Sequence, residues 1–77
     1  MPIELLQASV WSAYDLAIEA GQRYRPPPEC VSLSHPLLPG ALRIEQTQPR
    51  AYVHGFLMTL SDQLHAAMLQ LAQQARA

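Results

Sequence analysis

The sequence predicts a mainly α, or small α+β, single domain over residues 1–77, with two antiparallel helices at about 3–20 and 49–75 bracketing a proline-rich segment that carries a short β-hairpin at about 31–45. Three observations predict it. Apolar residues recur at steps of three and four in the first and last thirds of the chain; five of the seven prolines fall between Pro26 and Pro39; and two four-residue stretches in the middle alternate apolar with polar.

The first helix is punctuated at both ends. Pro2 suits a first turn, where its missing N–H is no loss, and Gly21 suits the position just past the last turn. Placed around a helix at about 100° per residue, Glu4, Ala8, Ser12, Asp15 and Glu19 form one narrow polar stripe. Ile3, Leu5, Leu6, Val10, Trp11, Tyr14, Leu16 and Ile18 spread over most of the remaining circumference. A surface helix normally shows an apolar stripe little wider than ~100°, so this helix is either central to its own fold or shared with a second chain. Leu5, Trp11, Leu16 and Ile18 are the side chains a lone copy would leave exposed, and Leu5, Trp11 and Leu16 are candidate partner contacts.

From Gln22 to Gln48 helix is excluded by proline. Pro26, Pro27 and Pro28 impose an extended spacer, because each fixes its own φ and disfavours the helical region for the residue before it. Beyond the spacer, Val31 and Leu33 alternate with Ser32 and Ser34, and Leu42 and Ile44 alternate with Arg43 and Glu45. That is the pattern of half-buried strands, and Pro36-Leu37-Leu38-Pro39-Gly40 between them is turn chemistry. The other reading of the same residues is an irregular loop whose apolar side chains plug the gap between two helices.

The last segment reads as one helix from Thr47 or Gln48 to Arg76, with Pro49 in its first turn. Val53, Phe56, Leu57, Leu60, Leu64, Ala67, Met68 and Leu71 form a continuous apolar face, and Gly55 within it costs up to ~1 kcal/mol relative to alanine. On the opposite side, His54, Met58, Ser61, His65, Leu69 and Ala72 make a smaller row. Met58, His65 and Leu69, with His54 at the edge, are read as a second partner strip; scattered exposure of single apolar residues is the competing account.

Composition narrows function. Only 14% of the residues are charged, against roughly 25% in an ordinary domain, and the net charge is −1. All five basic residues are arginines, and Arg23, Arg25, Arg43, Arg50 and Arg76 are dispersed, which argues against nucleic acid as the partner. A single cysteine excludes an internal disulfide. A core this small seldom supplies more than ~3–5 kcal/mol, so association is the natural supplement.

No chemistry is assembled in the sequence. Cys30 and His35 lack paired zinc-ligand spacing, and His54 and His65, placed on one helix, stand about 16 Å apart, so no metal is expected. Cys30 has no base beside it in sequence, and Gly21, Gly40 and Gly55 form no phosphate loop, so neither a catalytic residue nor a cofactor is expected. No leader pattern and no run of 18 apolar residues occurs, which predicts a cytoplasmic protein without membrane contact. The reading is a small non-catalytic protein-protein interaction protein of bacterial or phage type that forms a homo-oligomer. An adaptor, an assembly or secretion-chaperone-like subunit and a regulatory inhibitor all fit that class. The alternatives are a small dimeric DNA-binding regulator, in which the arginines converge, and an accessory subunit of an enzyme.

Overall fold

The computed structural model describes residues 2–75 and builds two layers. Helix α1 (Ile3–Ala20) is followed by strands β1 (Val31–Ser34), β2 (Ala41–Ile44), β3 (Arg50–Val53) and β4 (Phe56–Thr59), then by helix α2 (Asp62–Ala75). The strands form an antiparallel meander in the order β1-β2-β3-β4. α1 lies against β4, and α2 lies against β1 and β2.

Strand register explains the core. Val31, Ile44, Ala51 and Met58 line up across the four strands in one row, and Leu33, Leu42, Val53 and Phe56 in the next. Side chains alternate faces along a strand, so both rows point to the same side. Leu6, Val10 and Ala17 of α1 join these rows in one buried cluster with Leu60, Leu64, Met68 and Ala72. The opposite face carries Ser32, Arg43, Tyr52 and Leu57 in register, a mainly polar row as expected for a sheet covered on one side.

α1 obeys its punctuation. Gly21 takes a left-handed conformation at φ 72° and returns its N–H to the Ala17 carbonyl at 3.1 Å. The middle segment holds the hairpin at 31–34 and 41–44, within the span its alternation predicts.

The second helix is shorter than its periodicity implies. Residues 50–59 are the β3–β4 hairpin, not helix, and α2 begins only at Asp62. The reason is local. His54 and Gly55 both have positive φ, 53° and 82°, which is the two-residue turn whose twist matches antiparallel strands. Ser61 then caps α2, its Oγ accepting the Leu64 N–H at 3.1 Å. Helix periodicity in this region therefore belongs to two elements, and the sheet is twice the size of the expected hairpin. Arg76, read as the end of the helix, lies outside the described residues. No described helix is long and apolar enough to cross a membrane.

Candidate interaction surface

α1 buries one seam and shows another. The buried side follows Leu6, Val10, half-buried Ala13 and Ala17, spaced 4, 3 and 4 residues apart. One residue earlier, Leu5, Ser9, Ser12 and Leu16 repeat the same spacing on the surface. Leu5 and Leu16 are 61% and 66% exposed, the two most exposed large apolar side chains among the described residues. Between this outer seam and the edge of the sheet runs a groove of about 570 Å³, walled by Ala8, Ser9, Ser12 and Leu16 of the helix and by Leu57 and Thr59 of β4. The groove exists because β4 is an edge strand. Gln22 and Tyr24 pair with its first half, through Leu57 N–H to the Gln22 carbonyl at 3.3 Å and Tyr24 N–H to the Gly55 carbonyl at 2.7 Å.

The other flank of α1 is aromatic. Trp11 donates its ring N–H to the Leu37 carbonyl at 2.8 Å, fixing the helix to the β1–β2 loop. Trp11 meets Tyr14 edge-on at 5.9 Å between ring centres, and Tyr14 meets His54 at 6.3 Å. Trp11 and Ile18 remain 40% and 43% exposed, so α1 carries apolar surface on both sides of its core contact.

The strip Met58, His65, Leu69 and His54 is not assembled on one helix. Met58 is on β4 and completely buried under the helices, so it offers nothing to a partner. His54 is an exposed turn residue packed against Gly40, where a Cβ would come within 2.8 Å of its ring. His65 and Leu69 are half-buried on α2. His65 points inward, and its Nε2–H donates to the backbone carbonyl of Glu45.

That contact belongs to a polar cluster not expected from the sequence. Glu45 is the one buried charged residue among those described. Its carboxylate accepts Arg50 through two parallel bonds, Nε to Oε2 at 2.9 Å and Nη2 to Oε1 at 3.0 Å, and Tyr52 O–H at 2.6 Å. Alternation places Glu45 on an exposed strand face. A reading of 50–53 as a strand would have set Arg50 and Tyr52 on that same face and revealed the partners. The Arg50 guanidinium holds the Glu45 carboxyl below its usual range, with Tyr52 adding to the effect. Burial, together with the bond to Glu45, pushes the Tyr52 phenol up to about 12. A carboxylate so fully engaged is a poor base, and the phenol is a poor acid near neutral pH.

Cys30 is half-buried, and burial first, then the nearby Glu45 charge, raises its thiol above the ordinary value. This is the reverse of the shift that makes a nucleophile. Among the described residues, no three His, Cys, Asp or Glu side chains come together to hold a metal ion. Of the dispersed arginines, Arg50 is paired with Glu45, and Arg23 lies over the Phe56 ring at 5.1 Å with a bond to the His54 carbonyl. Comparison of the chain with protein-family models, with curated proteins and with solved structures finds no match.

Proposed function

We propose that this chain is a non-catalytic protein-protein interaction protein, an adaptor or assembly subunit working as a homo-oligomer in the cytoplasm, and that it makes contact through the outer surface of α1. The observation that carries this reading is the exposure of Leu5 and Leu16 on one seam of α1, with Leu16 at the wall of an open groove, on a chain of 77 residues. Exposed apolar surface gathered at one groove marks an interaction site more often than exposure scattered singly does. The raised thiol of Cys30 and the engaged carboxylate of Glu45 favour a non-catalytic role. Engagement of Arg23 and Arg50 within the chain weighs against duplex DNA as the partner.

Sedimentation velocity tests the reading. The wild-type chain is expected to exceed the mass of one copy at tens of micromolar, and Leu5→Glu with Leu16→Glu is expected to return it to a single copy with its circular dichroism spectrum kept. A wild-type mass of one copy refutes the homo-oligomer. In a parallel titration, no affinity for duplex DNA is expected at physiological salt; binding that falls steeply with salt would favour a regulator instead.

A further inference from the structure

We infer that two copies of this chain pair through α1 in antiparallel sense about a two-fold axis, Leu5 of each packing on Leu16 of the other, with Ser9 facing Ser12 at the centre. The inference rests on the homo-oligomer reading above and specifies its geometry.

The outer seam reads Leu, Ser, Ser, Leu at steps of 4, 3 and 4. Reversed, it reads the same in residue type and in spacing. Ala8 and Ala13 flank it symmetrically about the same midpoint, between Val10 and Trp11. A two-fold interface must be complementary to itself, and this seam meets that condition with large residues at its ends and small ones at its crossing point. Two serines at the crossing let the helix axes approach closely, while each Leu5 gains the opposing Leu16 and the groove that Leu16 lines.

The fold selects the antiparallel sense. A two-fold axis perpendicular to the helices leaves both sheets on the same side of the helix pair. The two grooves, each walled by Leu57 and Thr59 of an edge strand, then merge into one shared space that the leucines fill. A parallel pair would put the sheets on opposite sides and leave each groove open. The size is adequate as well. α1 has 18 residues and is about 27 Å long. Pairing along that length, with the groove walls, covers on the order of 1,000 Å² in total, the lower end of specific interfaces. Interfaces at that end of the range are weak, and a dissociation constant of about 1 µM is expected.

Disulfide trapping tests the register, because a bond forms only where Cα atoms come within about 7 Å. In a Cys30→Ser background, Leu5→Cys mixed with Leu16→Cys is expected to give a covalent dimer on mild oxidation, and Ser9→Cys mixed with Ser12→Cys likewise. Leu5→Cys alone is expected to stay uncrosslinked. Leu16→Glu, at an exposed position, should weaken dimerisation at least tenfold with an unchanged circular dichroism spectrum. A sedimenting dimer that crosslinks Leu5→Cys to itself, or that crosslinks in no combination, overturns the register and leaves self-association standing. A single-copy mass at 100 µM, a concentration of about a hundred times the expected constant, overturns both.

Discussion

The Tyr52 hydroxyl lies 2.6 Å from Oε2 of Glu45, the same oxygen that accepts Arg50 Nε at 2.9 Å. One oxygen thus ties the middle of β3 to the β2–β3 turn, while the Glu45 carbonyl takes the Nε2–H of His65 from α2. The Glu45, Arg50 and Tyr52 side chains of the cluster lie on the sheet face opposite the apolar core, and the Glu45 carbonyl carries the contact to α2.

Replacing Tyr52 with Phe removes one bond to a charged acceptor and little volume. A loss of about 1–3 kcal/mol is expected, the range for hydrogen bonds to charged groups, read by urea denaturation. Glu45→Gln should cost more than Tyr52→Phe, since it also weakens the pair with Arg50. An effect of Tyr52→Phe within error would show that the hydroxyl is equally well served by water.

The same cluster sets the pH response. The carboxyl of Glu45 is lowered on folding, so its contribution is fully present above the unfolded glutamate value and is lost as pH falls through the folded one. Thermal melts from pH 6 downward should therefore fall more steeply for wild type than for Glu45→Gln. Tyr52 is raised, so its share is present below the unfolded tyrosine value and disappears as pH rises toward about 12. Ultraviolet titration of the folded protein should show a late phenolate phase that Tyr52→Phe removes.

Met58 is fully buried at the β4 end of a row of core residues, so Met58→Ala should destabilise by about 2–5 kcal/mol, as large-to-small core changes do. Leu16→Ala, at a position 66% exposed, should leave the stability of a single copy nearly unchanged. Thermal melts followed by Trp11 fluorescence below the association range separate the two. Equal effects would mean that Met58 is less confined than its burial implies.

Gly55 at φ 82° is the second turn residue of β3–β4. A Cβ there would meet Arg23 and Tyr24 at an ordinary 3.5 Å, so backbone conformation and not collision decides the outcome. Gly55→Ala should cost about 1–2 kcal/mol, the left-handed penalty for a residue with a side chain. A neutral result would indicate that the turn readjusts.

The β3–β4 hairpin was hidden by its own turn. A two-residue turn resets the alternation, so Val53 and Phe56, three residues apart, share the core face just as they would on a helix. With Leu60 and Leu64 following at steps of four, the sum imitates a helical stripe. His54-Gly55 and the Ser61-Asp62 cap were both present as signals, but each lay inside a region already claimed by periodicity. Val31 to Ile44 was legible because its turn is long and proline-marked, leaving strand alternation undisturbed. The wide apolar arc of α1 was legible too, since Leu5 and Leu16 stand out from any one-sided stripe. Glu45 is not, because its partners lie on a strand whose apolar spacing imitates a helix.

α1 rests on β4, which is the last strand in the chain. During synthesis the helix is therefore made first and docked late, after roughly 40 further residues have been added, which takes about 2–8 s at ordinary elongation rates. Throughout that interval the inner seam of Leu6, Val10 and Ala17 has no β4 to rest on. A chain ending before Phe56 should therefore leave α1 undocked, however well the helix forms by itself.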